Sequence, residues 1–129
     1  MRPENDDETV RQPAAAPEGV LVEVRHTDTG AALCSIAGEL DIELMEPAER
    51  ALAALVDARP PVLVVGLAEV TFCDSSGLNL LLKTRAAAAA AGIGFRLAAV
   101  PPTVMRVLEL TGTQAVFALH ATVDEALAA

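Results

Sequence analysis

The sequence predicts a single-domain α/β fold, a mixed β-sheet with helices packed on it, and three features carry that reading. Two strand-like runs soon after residue 19 flank a turn signal. Val62-Leu63-Val64-Val65-Gly66-Leu67 is apolar without alternation, and strand-like and helix-like segments alternate from the hairpin to the end of the chain. With 129 residues and 53% hydrophobic content, the chain has the length and apolar content for one core and no room for a second domain. It has no Trp or Tyr, and only Phe72, Phe95 and Phe117 are aromatic, so Leu, Val and Ala must fill the interior.

Residues 1–19 join Pro3, Pro13 and Pro17 to a run of acids and an alanine triplet, a composition that cannot build a core. They are expected to form a disordered acidic tail, which leaves residues 20–129 as the folded domain. Val20-Leu21-Val22-Glu23-Val24 and Ala32-Leu33-Cys34-Ser35-Ile36-Ala37, either side of Asp28-Thr29-Gly30, predict a β-hairpin. Apolar residues at 44, 48, 51, 52, 55 and 56 then mark one face of a first helix. Pro47 is tolerable only in its first turn, which puts the helix start at Glu43 or later.

Pro60 and Pro61 stop that helix, and the run over 62–67 reads as a central strand covered on both faces. A second helix begins near Ser75, carries Leu78, Leu81, Leu82 and the alanines 86–91, and ends at Gly92 and Gly94. Alanine has the best helix propensity and lets a helix lie close to a sheet, so packing explains that run. Phe95–Val100 predicts a strand, Thr103–Leu110 a short helix ending at Gly112, and Ala115–Leu119 a last strand. Thr122 and Glu125 have capping-box spacing for a closing helix through Leu127.

A net charge of −9 removes the clustered Lys and Arg that phosphate-backbone binding requires, and it disfavours anionic membrane surfaces. No direct nucleic-acid or membrane contact is expected, and the acidity weakly favours a basic protein partner. The acidic start has no apolar segment of the secretory kind, and the longest apolar runs are too short to span a bilayer, so a cytoplasmic location is expected. Cys34 and Cys73 form neither a CxxC pair nor a zinc quartet. Each is expected as a small buried hydrophobe in or at the end of a strand, with no metal and no cofactor.

The remaining polar feature is Asp74-Ser75-Ser76-Gly77, where the chain leaves a buried segment and starts a helix. The simplest reading is an N-cap, because Asp and Ser accept hydrogen bonds from the free N–H groups of a first turn. A cap alone gives no reason for four small or polar residues in a row. A helix N-terminus also favours negative charge, so a phosphate on Ser75 or Ser76 would be tolerated there and would change what docks on the surface. Gly77 leaves space beside both hydroxyls for close approach of a partner. Physical chemistry by itself leaves Ser75 and Ser76 equivalent.

Val70-Thr71-Phe72-Cys73-Asp74-Ser75-Ser76-Gly77-Leu78 resembles the phosphorylation motif of bacterial anti-sigma-factor antagonists, the STAS domains. Gly38-Glu39-Leu40-Asp41 resembles a second motif of that family, and the segment from Pro102 to Gly112 resembles its penultimate helix. Together they span about residues 19–128. The resemblance implies a STAS-like fold and names Ser75 as the residue phosphorylated by an anti-sigma factor that is itself an ATP-dependent serine kinase. It further implies that the unphosphorylated chain binds that factor and frees a sigma factor, while a separate protein phosphatase restores the binding form. Asp74, Ser75, Ser76 and Gly77, with Asp41 in the neighbouring loop, are then the implied docking surface. In one departure, Ile42-Glu43-Leu44-Met45-Glu46-Pro47 stands where many relatives have a more polar lead into the helix.

Three other readings fit less well. A hydrolase would need a base near Ser75, yet only His26 and His120 exist and no G-x-S-x-G elbow is present, so the chain is not expected to be an enzyme. A phosphate- or nucleotide-binding module would be expected to carry a G-x-x-x-x-G-K-[ST] loop, and Lys83 is the only lysine. A STAS-type scaffold without kinase switching leaves the Asp74-Ser75 pair unexplained.

Overall fold

The apolar run at Val62 becomes the middle of the sheet. In the computed structural model, which describes residues 19–129, the chain runs β1 (Val20–His26), β2 (Ala32–Leu40), α1 (Glu46–Ala58), β3 (Val62–Cys73), α2 (Ser75–Ala90), β4 (Gly94–Ala98), α3 (Pro102–Thr111), β5 (Ala118–His120) and α4 (Val123–Ala128). The tail expected over residues 1–19 lies, but for Gly19, outside the described residues. The strands lie in the order β1-β2-β3-β4-β5. β1 pairs antiparallel with β2 in the predicted hairpin, and every later pairing is parallel, so the sheet is mixed.

Strand side chains alternate between faces, and both faces are covered where β3 is apolar throughout. Leu63, Val65 and Leu67 enter the main core with Cys34, Ile36, Leu40 and Leu97, beneath Leu52 of α1, Leu81 of α2 and Val104 and Leu108 of α3. Val64 faces the other way, into a smaller cluster with Leu33, Ala98 and Ala126 of α4. Arg96 ties α4 to the sheet by donating to the Ala126 carbonyl at 2.7 Å. Both cysteines are buried, Cys34 within β2 and Cys73 at the end of β3.

The helix limits follow the punctuation in the sequence. Pro47 sits in the first turn of α1, and the helix closes on Arg59 in the left-handed region, just before Pro60. Thr122 Oγ1 accepts from the Glu125 N–H at 3.0 Å, as the capping spacing requires. Strand limits differ from expectation throughout: β1 and β2 run on to His26 and Leu40, β4 covers Gly94–Ala98 rather than Phe95–Val100, and two differences are larger. β3 continues to Cys73, because its far end pairs with the end of β2 after β4 has stopped at Ala98. The last strand covers only Ala118–His120, because Thr113–Ala115 coils into a 3₁₀ turn after Gly112.

One glycine makes the end of β2 possible. Gly38 has φ +108°, and a Cβ there would stand 1.9 Å from the Gly19 carbonyl oxygen. β2 and β3 therefore finish together, with Leu40 paired to Cys73. The next residue of each strand is an aspartate: Asp41 after β2 and Asp74 after β3.

Candidate functional site

Asp74 anchors the junction through backbone and side chain. Its N–H donates to the Leu40 carbonyl at 3.3 Å, which carries the β2–β3 pairing one residue further. Its backbone is extended, and Oδ1 accepts from the N–H groups of Ser76 at 2.9 Å and Gly77 at 3.1 Å. The Leu78 N–H then donates to the Asp74 carbonyl at 3.0 Å, the first bond of the α2 ladder. Asp74 is thus an N-cap, and two of the amides that an anion at this helix end would seek, those of Ser76 and Gly77, are already engaged.

Ser75 is exposed and Ser76 half-buried, a difference that separates two hydroxyls the sequence leaves equivalent. Gly77 corrects the expectation of open space for a partner, because it is buried and faces inward. A Cβ at this position would lie 2.5 Å from the Leu40 carbonyl oxygen, 2.8 Å from Leu40 Cβ and 2.9 Å from Cys73 Sγ. The missing side chain lets the start of α2 press against the ends of β2 and β3. It shapes the surface from beneath.

Asp41 makes a matching arrangement one strand over. Its Oδ1 accepts from the N–H groups of Glu43 at 3.0 Å and Leu44 at 2.8 Å, and its carbonyl accepts from Leu44 and Met45. The loop from Asp41 to Met45 is therefore pinned, and it leaves Ile42 at its tip. Asp41, Asp74, Ser75, Ser76 and Gly77 all meet at the C-terminal ends of two adjacent parallel strands. Of the acids near this edge, Glu46 is engaged by Arg50 one helical turn on, and that hydrogen bond holds the Glu46 carboxyl below its ordinary range.

The two thiols are not part of this chemistry. Burial pushes Cys34 up to about 12, and burial, with the charge of Asp74 adding, pushes Cys73 up to about 11, so both remain protonated near neutral pH. The histidines stand elsewhere. His26 ends β1 opposite Ala32, at the far end of the sheet, and His120 on the edge strand pairs to Ala98, whose β3 partner is Gly66, well short of Cys73. The fold does not bring either to Ser75 as a base. Among the described residues, no group of three His, Cys, Asp or Glu side chains is placed to hold a metal. No helix there is long and apolar enough to cross a membrane.

Two residues on the segments that lead into the site carry no role in the sequence motifs that hold them, yet stand open to solvent. Ile42 is 71% exposed and Phe72 is 48% exposed, although both are large and apolar. The available signal was an apolar residue directly after Asp41 and an aromatic two residues before Asp74, in a chain with only three aromatics.

Comparison with known proteins places these features in a wider group. The family model for the STAS domain matches residues 22–126. The anti-sigma-F factor antagonist RsfB of Mycobacterium tuberculosis is 31% identical over 113 residues, which covers 88% of this chain and 91% of that protein. The crystal structure of an anti-sigma factor antagonist from Mycobacterium paratuberculosis superposes with a TM-score of 0.78 at 36% identity, covering 88% of this chain and 95% of that one. The Bacillus cell fate determinant SpoIIAA in its phosphorylated form shares the fold at a TM-score of 0.66 and 20% identity, covering 83% of this chain and 96% of that one.

Proposed function

Since the chain belongs to the STAS domain family, we propose that it is an anti-sigma-factor antagonist whose binding is switched by phosphorylation of Ser75. In its unphosphorylated form it docks on an anti-sigma factor through the surface that holds Asp41, Asp74, Ser75 and Ser76, shaped from below by Gly77. Docking releases the sigma factor. The anti-sigma factor is also the kinase: the Ser75 hydroxyl oxygen attacks the γ-phosphorus of its ATP, the hydroxyl proton leaves, and ADP departs. A protein phosphatase hydrolyses the phosphoserine with water and returns the binding form.

One observation carries the choice of residue. Ser75 is the exposed hydroxyl at the first position of α2, whereas Ser76 is half-buried and its amide is engaged by Asp74. The same cap supports an outward-acting switch. A phosphoserine adds roughly −1.5 to −2 charges at neutral pH. Asp74 Oδ1 already holds the N–H groups of Ser76 and Gly77, so the new charge is not drawn onto its own helix and remains at the docking face. The helix dipole tolerates it and the fold need not change. The kinase brings the nucleotide, so the antagonist itself needs no cofactor and no catalytic base, and it works in the cytoplasm without contacting DNA or membrane.

Calorimetry with the purified anti-sigma factor tests this reading. Ser75→Ala should bind like the parent chain, while Ser75→Asp should bind at least about tenfold more weakly, or about 1.4 kcal/mol. Equal binding by Ser75→Asp would remove the switch from this position.

A further inference from the structure

Ile42 stands in the turn directly after Asp41, and Phe72 lies near the end of β3, two residues before Asp74. Scattered exposed apolar residues are ordinary on protein surfaces. These two are not scattered, because the pairing of Leu40 with Cys73 sets their segments side by side. Both also sit on a fixed backbone. The Asp41 carboxylate pins the turn around Ile42. Phe72 lies on β3 in register with Glu39. Apolar groups held in place before contact lose little entropy on docking, and that is what makes a side chain an interface anchor.

The surroundings say what kind of surface they meet. Glu39, Asp41, Glu43, Glu69 and Asp74 lie on the same segments, and neither stretch 38–49 nor stretch 67–82 contains a Lys or Arg. A second copy of the chain would bring the same acids and a net charge of −9 against this face. Self-association is disfavoured, and a partner with basic residues around an apolar patch is complementary.

We infer that Ile42 and Phe72 are the apolar anchors of the docking face, seated in apolar pockets of the anti-sigma factor that are rimmed by Arg or Lys. This rests on the proposed function and extends it by assigning the residues that supply affinity. It also explains how a phosphate defeats binding to a basic partner. Ser75 follows Phe72 by three residues and begins the helix beside the Asp41 turn, so a doubly charged group there must be stripped of water for the partner to close over this end of the sheet, against the nucleotide phosphates that phosphoryl transfer places opposite Ser75.

The test measures dissociation constants for the purified cognate anti-sigma factor, with ADP bound, against the full chain, Ile42→Ser, Phe72→Ser and Leu110→Ser. Leu110 is 77% exposed on α3 and serves as the control. The expected result is at least about tenfold weaker binding for each anchor variant, mostly through faster dissociation, with unchanged Leu110→Ser binding and unchanged melting temperatures. Raising the salt concentration should slow association of the parent chain. Parent binding matched within twofold by both anchor variants overturns the anchors and leaves the proposed function standing. No binding by the parent chain overturns both. A dimer of the parent chain that either anchor variant abolishes would show that a second copy occupies the face and overturns the assignment of the partner.

Discussion

Gly77→Ala offers the sharpest structural test of how the site is built. The added methyl group meets the Leu40 carbonyl oxygen at 2.5 Å, Leu40 Cβ at 2.8 Å and Cys73 Sγ at 2.9 Å. Two of the three belong to a residue held in the β2–β3 ladder, and the third to a buried thiol, so neither neighbour yields easily. Relief requires α2 to lift away from the strand ends, stretching an Asp74-to-Leu40 hydrogen bond that already measures 3.3 Å. Overpacking of this kind costs about 1–3 kcal/mol, while the helix propensity gained from Gly to Ala offsets at most about 1 kcal/mol. Contacts this short to backbone and a buried thiol put the cost in the upper part of that range, about 2–3 kcal/mol, so the net loss is about 1–2 kcal/mol, which in a domain of this size lowers the melting temperature by about 4–8 °C. Thermal unfolding followed by circular dichroism reads this directly. An unchanged or higher melting temperature would mean that α2 does not rest on Leu40 and Cys73.

Other consequences concern the cap, the hairpin and the thiols. Asp74→Ala removes both side-chain bonds to the first turn of α2 and should destabilise the domain by about 1 kcal/mol in urea unfolding, with an unchanged m-value. Gly38→Ala combines a φ of +108° with a carbonyl 1.9 Å from the new Cβ, and should cost more than Gly77→Ala, at least about 2 kcal/mol, by the same assay. Because the folded thiol pKa values are raised from 9.0 to about 12 for Cys34 and about 11 for Cys73, an unfolded chain loses these protons first. The thiol contribution to stability is complete below pH 9 and falls as pH rises from about 9 toward 11 and 12. A disulfide reagent at neutral pH should label neither cysteine until the protein unfolds, and rapid labelling of the native chain would contradict that burial.

What could be read in the sequence was local. The hairpin runs, the unalternating β3 core, Pro47 in a first turn and the Thr122 cap each depend on neighbours within a few residues. The parts that escaped depend on pairing across the fold. Glu69 and Thr71 break the apolar run, so nothing local says that β3 continues past Leu67; pairing with the far end of β2 holds this stretch extended. The same pairing brings Asp41 beside Asp74 and turns Gly77 inward, against Leu40, a residue distant in sequence. The expected strand from Ala115 failed for a local reason, since Gly112 in the left-handed region starts a 3₁₀ turn that spends those residues before β5 can begin. The site's position was therefore visible as a polar interruption between a strand and a helix, while the direction each side chain faces was not.

The central claim is that Ser75 is the switched residue, and intact-mass analysis with site mapping addresses it most directly. The full chain is incubated with its anti-sigma factor kinase and ATP, in parallel with Ser75→Ala and Ser76→Ala. The prediction is one phosphoryl group per chain on Ser75, retained in Ser76→Ala and absent from Ser75→Ala. Full modification of Ser75→Ala, or mapping of the phosphate to Ser76, would contradict it.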